Sequence, residues 1–388
     1  MHQFPLLNLP FELVDEIVLS IPARKEIVAL SLTCQFFKGL LVRDIDYCEV
    51  GASIVAEHLW DHFIANPALA KRVRSLYVGD SPSRSKFPSS YILVSTGYYW
   101  SGEKMEEKLS SAIRVMSSLA SFQWDHSFVP YPQLWPALHC CTKLREIDIL
   151  DTLPSPRDDL HRENDVSDQQ VFSFPNLTAL KLRTIISPSI KATPYTLNTS
   201  TFLPCSRNLS VLSLNYHSRQ ASPCITDLFS KATWPALHTL ELSFISCDPI
   251  VVNSFLARHP HISTMRIRDR PTARFSLSQV QPSSIPNLAT FKGQVHALLE
   301  LSHAHPPLAT YELRVADLLV QGFTEQAAFA KTLKGLEVTL KVVKLARSMD
   351  KCDDEEAAVW FSDVLPNARV ECRRSNPEES NSSLLVTR

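Results

Sequence analysis

The feature that most constrains the fold of this chain is a recurring hydrophobic pattern, L-x-x-L-x-L or a close variant, which occupies most of its 388 residues. Within each copy, apolar and polar residues alternate, which is typical of a β-strand with one buried face. The mean spacing of about 27 residues suits a solenoid in which each unit contributes one strand and one helix. We therefore expect a solenoid with a curved parallel sheet; the alternative is a mixed α/β domain with fortuitous leucine spacing. The copies begin at Leu119, Leu144, Leu177, Leu209, Leu237, Ile262, Leu288, Leu308 and Leu336.

The segments around these strands divide into amphipathic stretches and polar insertions. Apolar spacing predicts helices over 106–116, 249–258, 294–304 and 324–333. The strand pattern at 73–78 indicates an earlier repeat, and 366–372 is predicted to cap the last one. Stretches rich in Ser, Pro or charged residues break the period and are expected to form loops at 80–104, 151–170 and 186–208.

The N-terminal part of the chain carries three short helical patterns. Pro10 suits the first turn of a helix, and Leu13 and Ile17 follow at i and i+4, so we expect a helix over 11–20. Further helices are predicted over 24–32 and from Gln35 onward. Three such helices cannot bury their apolar faces alone, so they need a partner or a neighbouring domain. An ordinary helical cap on a larger domain is the alternative.

These N-terminal residues resemble the F-box. The resemblance is carried by the L-P-x-E start, an apolar residue one turn later, a short second helix, and a cysteine followed by an aromatic residue. It implies that the chain docks on the Skp adaptor, and through it on the cullin, of an SCF-type ubiquitin ligase. The residues expected to bind the Skp adaptor are Leu9, Pro10, Glu12, Leu13, Ile17, Ile27, Leu30 and Phe37.

The repeats, in turn, resemble the irregular leucine-rich repeats that follow the F-box in many fungal F-box proteins. The expected fold is a small all-α F-box followed by an α/β leucine-rich-repeat-like solenoid. The expected domains are an F-box-like region at 1–48, the solenoid at 49–372 and a disordered tail at 373–388. In the ubiquitin conjugation pathway such a chain is a substrate-recognition subunit. A leucine-rich-repeat scaffold that acts outside any ligase is the alternative.

A target protein is expected on the open, concave face of the sheet. Side chains alternate across a strand, so if Ile147 and Ile149 point into the core, Glu146 and Asp148 lie on that face. The same phase predicts a face that is acidic near Glu146 and basic near Arg266. The alternative is that this polar face is only solvated and binds no ligand. Its expected target-binding residues are Glu146, Asp148, Lys181, Arg183, Glu241, Arg266, Arg268, Lys292, Glu312 and Arg314.

Composition argues against several other functions. Lys and Arg (39) nearly balance Asp and Glu (40), whereas nucleic-acid and anionic-membrane binders usually carry a basic excess. The 8 glycines are mostly isolated, which disfavours the clustered glycines of a P-loop, a Rossmann fingerprint or a nucleophile elbow. The 9 cysteines show no C-x-x-C spacing, and His58 and His62 do not form an H-E-x-x-H motif, so we predict no metal and no cofactor.

No apolar run approaches the ~20 residues needed to cross a bilayer, and a basic N-terminal signal region is missing. We therefore expect a protein of the cytoplasm, the nucleus or both. Because the sequence offers no catalytic motif, we expect it to be non-catalytic.

Overall fold

The computed structural model describes residues 9–21, 24–79, 102–126, 133–151, 174, 176–185, 207–217, 224–268, 275–304, 306–314, 330–331, 342–346, 361, 364–365, 367–375 and 383–386. The chain divides into two compact units, Met1–Leu177 and Thr178–Arg388. The strand predicted at 336–340 lies outside the described residues, as do most of the loops predicted at 80–104, 151–170 and 186–208 and most of the helix predicted at 324–333. The predicted domain division at residues 48 and 49 stays a prediction.

Three short helices open the first unit, as predicted: α1 (Phe11–Ser20), α2 (Arg24–Ser31) and α3 (Gln35–Tyr47). Pro10 immediately precedes α1, and its carbonyl accepts the N–H groups of Leu13 and Val14, both at 3.1 Å. A backbone N–H at this position has no partner within the helix, so the absence of an N–H in proline costs no helical hydrogen bond. The helices pack around a common apolar cluster that consists of Val14, Val18, Ile27, Phe37, Leu41 and Cys48.

The first strands follow these helices within the same unit. Each strand pairs in parallel with the next, in the order in which they occur along the chain. Strand β1 was not predicted, because it has only four residues, one of them Gly51, and no L-x-x-L-x-L pattern. The elements are β1 (Glu49–Ala52), α4 (Glu57–Ala65), α5 (Pro67–Ala70), β2 (Ser75–Gly79), α6 (Gly102–Val115), β3 (Ser121–His126), α7 (Leu134–His139) and β4 (Glu146–Asp151).

The second unit continues the strand-and-helix pattern. Its strands β5 to β12 pair in parallel in chain order, and β13 pairs antiparallel with β12. The elements are β5 (Ala179–Ile185), β6 (Val211–His217), α8 (Thr226–Lys231), β7 (Thr239–Ser243), α9 (Pro249–Arg258), β8 (Thr264–Arg268), a 3₁₀-helix (Pro282–Ser284), β9 (Thr290–Lys292), α10 (Val295–Ser302), β10 (Thr310–Arg314), β11 (Val342–Ala346), β12 (Arg369–Ser375) and β13 (Ser383–Val386).

Two features of this unit differ from the prediction. Strand β11 begins at Val342, where the sequence reads as a run of small apolar residues and Lys344 without the full leucine pattern. Strand β13 lies within the segment predicted to be a disordered tail, and it pairs residue by residue with β12 from Cys372↔Val386 to Ser375↔Ser383.

The alternation within the strands is as predicted. One row of in-register residues, a single position from each of the strands β5 to β11, faces the core and is buried. The row consists of Leu180, Leu212, Leu240, Met265, Phe291, Tyr311 and Val343. A strand-and-helix repeat with this buried row confirms the predicted leucine-rich-repeat-like fold. Among the described residues, no helix combines the length and the apolar character that crossing a bilayer requires.

Candidate partner-binding surfaces

An apolar strip lies on the surface of the first unit, along one side of α1. We call its four residues, Leu9, Pro10, Leu13 and Ile17, the α1 patch. Leu9 is 38% exposed, Leu13 47% and Ile17 38%, although all three are large aliphatic side chains. Pro10, Leu13 and Ile17 are three and four residues apart, so they lie on one side of the helix and its N-cap, and Leu9 directly precedes Pro10. All four belong to the residues predicted to bind the Skp adaptor.

The rest of that predicted set lies in different environments. Glu12 is exposed in the first turn of α1, where a carboxylate opposes the positive end of the helix dipole. Leu30 is partly buried against the apolar cluster. Ile27 and Phe37 are both buried in that cluster, so neither is exposed on this surface, and their contact with a partner stays a prediction. They stabilise the packing of the three helices, whereas exposed apolar side chains lie on α1 and also on α3, where Phe36 and Val42 are exposed.

A buried arginine fastens the end of α1 to the strands. Arg74 lies just before β2, and its Nη2 donates to the carbonyl of Val18 at 2.5 Å, while Nη1 donates to the carbonyl of Ile21. Carbonyls at the C-terminus of a helix have no partner within the helix and carry its negative partial charge. Burial lowers the pKa of Arg74, but a guanidinium keeps its proton at any physiological pH.

A second arginine, Arg72, forms an ion-pair network with carboxylates of α1 and α3. Its Nη1 lies 2.6 Å from Asp44 of α3, and its Nη2 lies 2.5 Å from Asp15 of α1. Burial lowers the pKa of Arg72, but the hydrogen bonds to Asp44 and Asp15 more than offset it and leave the pKa above its ordinary value. Sequence reasoning missed both arginines, since their partners lie far away along the chain.

The open face of the second unit carries two rows of polar residues in register. The predicted phase is correct here, because these residues alternate with the core-facing apolar residues of β5 to β8. The first row consists of Lys181, Ser213, Glu241, Arg266, Lys292 and Glu312. The second row, one step further along the strands, consists of Arg183, Asn215, Ser243 and Arg268. Arg314 lies in β10, but its side chain is outside the described set.

Several charges of the first row are already paired. Lys292 Nζ lies 3.0 Å from Glu312 Oε2, and Ser213 Oγ donates to Glu241 Oε2 at 3.0 Å. Arg266 stands between Glu241 and Lys292 in the register. The basic character predicted near Arg266 is therefore reduced by acidic neighbours in the same row.

The acidic part of the predicted face lies in the first unit. On β4, Ile147 and Ile149 are buried, whereas Glu146 is exposed and Asp148 half-buried, as the alternation predicts. Ser121 Oγ donates weakly to Glu146 Oε2 at 3.4 Å. A single target-binding strip that joins these acids to the basic residues of the second unit stays a prediction.

Comparison with known proteins gives only distant similarities. No protein-family model matches the chain, and no curated protein matches it. Among solved structures, the chain is similar to the Rad7 and Elc1 complex in yeast, with 14% identity, a TM-score of 0.44, and coverage of 84% of this chain and 76% of that chain. It is also similar to the leucine-rich repeat-containing protein LegL7 from Legionella pneumophila, with 14% identity, a TM-score of 0.40, and coverage of 69% and 85%. Similarity at this level does not bear on what this chain binds.

Proposed function

We propose that this protein is the substrate-recognition subunit of an SCF-type ubiquitin ligase in the cytoplasm or nucleus. In this proposal the α1 patch docks on the Skp adaptor, which links the chain to a cullin, and the strand faces bind a target protein. The chain itself performs no chemistry. It accelerates ubiquitin transfer by holding the target near a charged enzyme that other subunits supply, which raises the effective concentration of the reacting groups.

The exposed α1 patch is the observation that carries this proposal. Leu13 and Ile17 could have packed inward, but the helix instead buries Val14 and Val18 and turns the larger side chains to the surface. Exposed clusters of large aliphatic side chains are typical of surfaces that another protein covers. A helix that lays its apolar strip against a partner is also a recurrent mode of protein recognition.

The contacts of Arg74 and Arg72 hold the helix that carries the docking surface in a fixed position. Arg74 and Arg72 connect both ends of the helical region to the start of β2, through carbonyls of α1 and carboxylates of α1 and α3. A partner bound to α1 is therefore held in a fixed position relative to the first strands. Such coupling suits a receptor that must hold its cargo in a defined place.

The test is capture of the Skp adaptor by purified full-length protein. We expect the double variant Leu13→Ala/Ile17→Ala to bind the adaptor with a roughly thirtyfold higher Kd, because about two-fifths of each side chain, worth about 1 kcal/mol, would be buried on docking. The matched control is Ile64→Ala/Ile250→Ala, which truncates two exposed isoleucines outside α1. Circular dichroism and the unfolding midpoint should be the same for both variants.

If wild-type protein fails to capture the adaptor, or if both double variants bind it equally well, the ligase assignment is wrong. The second candidate, a leucine-rich-repeat scaffold without a ligase, would then stand. It is favoured by the same arginine contacts, because Arg74 and Arg72 also suit helices that merely cap the first repeat. Under that reading, the α1 patch variants alter neither adaptor nor target binding.

A further inference from the structure

Two cysteines of the second unit, Cys224 and Cys247, lie next to each other although they are far apart along the chain. Cys224 forms a parallel β-bridge with Ser246, and the N–H of Ile225 donates to the carbonyl of Ser246 at 3.0 Å. With a strand spacing of about 4.8 Å and a rise of about 3.3 Å per residue, the Cα atoms of Cys224 and Cys247 are about 6 Å apart. Disulfides join residues whose Cα atoms are about 4.4–6.8 Å apart, so the backbone here already satisfies that requirement.

A single hydroxyl contacts both sulfurs. Thr226 Oγ1 accepts from Cys224 Sγ at 3.3 Å and donates to Cys247 Sγ at 3.8 Å. The N–H of Asp248 donates to the same oxygen at 3.1 Å and holds it in place. Because both sulfurs touch one oxygen, the two side chains point into the same space beside the starts of α8 and α9. Rotation about their Cα–Cβ bonds is the movement that brings the sulfurs to the bonded distance of about 2.05 Å.

The two thiols differ in accessibility and in acidity. Cys224 is exposed, so a small oxidant can reach it, whereas Cys247 is buried. Hydrogen bonds to the hydroxyl and the backbone of Thr226 lower the pKa of Cys224, while burial raises the pKa of Cys247 to about 11. The thiolate is the form of cysteine that peroxides oxidise. Cys224 is therefore the thiol that reacts first, and Cys247 remains protonated beside it.

We propose that Cys224 and Cys247 form a reversible disulfide when the protein meets hydrogen peroxide. The Cys224 thiolate attacks the peroxide, the O–O bond breaks, and uptake of one proton leaves a sulfenic acid and a molecule of water. The Cys247 sulfur then attacks the sulfenic sulfur, and the S–O bond breaks as the S–S bond forms. The departing hydroxide takes the proton of the Cys247 thiol and leaves as a second water. Two equivalents of a small thiol such as glutathione restore both cysteines by exchange and become a disulfide themselves.

This disulfide would connect two neighbouring repeats. Cys224 lies just before α8 and Cys247 just before α9, so the bond closes a loop that contains α8 and β7. Closing a loop restricts the unfolded chain more than the folded one, so the oxidised protein should unfold at a higher urea concentration than the reduced protein. The inference does not depend on the proposed ligase function.

The experiment treats purified full-length protein with a small molar excess of hydrogen peroxide and then blocks the remaining thiols with N-ethylmaleimide. Trypsin cleaves after Arg219, Lys231 and Arg258, so the two cysteines fall in separate peptides, 220–231 and 232–258. Mass spectrometry without reduction should find these two peptides linked. The link should disappear after treatment with dithiothreitol.

Cys140 and Cys141 provide a comparison within the same molecule. They too combine an exposed thiol with a buried one. However, the Cα atoms of adjacent residues lie about 3.8 Å apart, which is closer than disulfides favour. Their sulfurs also contact carbonyls of their own helix, those of Pro136 and Ala137. We expect no disulfide between them at the peroxide dose that links most of Cys224 to Cys247.

Three variants test the role of each group. Cys247→Ser should abolish the link and leave Cys224 as a sulfenic acid, which dimedone traps, and peroxide should no longer raise its urea midpoint. Thr226→Val should slow the oxidation of Cys224 by about threefold or more, whereas Thr226→Ser, which retains the hydroxyl, should react at the wild-type rate. If Thr226→Val folds poorly, the serine variant and the wild-type peptide map still decide the outcome.

Three results would overturn the proposal. If peroxide oxidises Cys224 without linking it to Cys247, the two sulfurs do not rotate into contact. If Cys140 and Cys141 become linked as readily, the oxidation is unselective. If peroxide leaves Cys224 as a thiol, the contact with Thr226 does not activate it. None of these measurements involves the Skp adaptor, so their failure is distinguishable from failure of the proposed ligase function.

Discussion

Replacing His259 by phenylalanine should lower the free energy of unfolding and change how it depends on pH. His259 is buried directly after α9, and its Nε2 accepts the backbone N–H of Trp234 at 2.8 Å. Its Nδ1 lies 2.6 Å from the carbonyl oxygen of Phe255. Since Nε2 is an acceptor, Nδ1 must carry the proton and donate to Phe255, so only this neutral tautomer makes both bonds.

The expected size of the effect follows from these two bonds. Phenylalanine keeps most of the ring volume and its contact with the Phe255 ring, whose centroid lies 4.1 Å away. It leaves the buried N–H of Trp234 without its acceptor and the Phe255 carbonyl without the imidazole donor. An orphaned buried donor costs about 1–3 kcal/mol and a lost hydrogen bond about 1 kcal/mol, so the total loss should be about 2–4 kcal/mol.

Protonation of His259 has a related cost in the wild-type protein. Burial lowers its pKa below the ordinary 6.5, with a further lowering from the nearby Arg258 and an opposing contribution from the Phe255 carbonyl. Below pH 6.5 the unfolded chain therefore binds more protons at this residue than the folded chain. Its stabilisation is complete above pH 6.5 and declines as the pH falls toward the folded-state pKa, with a limiting slope of about 1.4 kcal/mol per pH unit.

Urea unfolding followed by circular dichroism from pH 5 to pH 8 measures both effects. We expect His259→Phe to be less stable than wild type at pH 8 and the gap to narrow as the pH falls. His261→Phe is the matched control, because His261 is exposed two residues away and should change stability by less than about 0.5 kcal/mol. A gap that stays constant or widens on acidification would refute the proposed tautomer and its buried hydrogen bonds.

Two further predictions concern the first unit and the thiols. Arg72→Met should destabilise the protein by about 3–5 kcal/mol in urea unfolding, because it leaves the carboxylate of Asp44, 1% exposed, without its partner. Lys71→Met, an exposed neighbour, should have little effect, and equal losses would contradict the ion-pair assignment. In the folded protein, a thiol reagent at pH 8 should modify Cys224, whose pKa is lowered by its hydrogen bond to Thr226, far faster than Cys141, whose pKa burial raises to about 12. Mass spectrometry of the labelled peptides distinguishes the two, and comparable rates would contradict this order.

Patterns within short stretches of sequence were sufficient for most of the regular structure. Helices α1 to α3 begin at the predicted residues because proline, helix-favouring spacing and chain breaks act locally. The phase of the strands was predictable because a period of two assigns each side chain to one face or the other. Strand β11 was not predicted, because Val342–Ala346 lacks the leucine spacing on which the strand predictions depended.

Local pattern did not reveal which apolar residues would meet one another. Along α1, the sequence contains two apolar stripes, and only the packing of the three helices buries Val14 and Val18 and exposes Leu13 and Ile17. The same packing buried Ile27 and Phe37, which the F-box resemblance had suggested for the partner surface. A resemblance identifies positions in a motif, but the accessibility of a side chain depends on everything that packs around it.

The sequence by itself determined the repeat, the strand phase and the short helical N-terminus, because each depends on neighbours a few residues apart. The tertiary structure decided which polar groups form hydrogen bonds and ion pairs with residues far away along the chain. Arg74 reaches the carbonyl of Val18 across 56 positions of the chain, and Arg72 reaches Asp15 across 57. Likewise, Arg183, Asn215, Ser243 and Arg268 share a row only because the register of four strands places them there. Charge pairing, burial and ligand sites depend on such three-dimensional neighbours, and no local pattern specifies them.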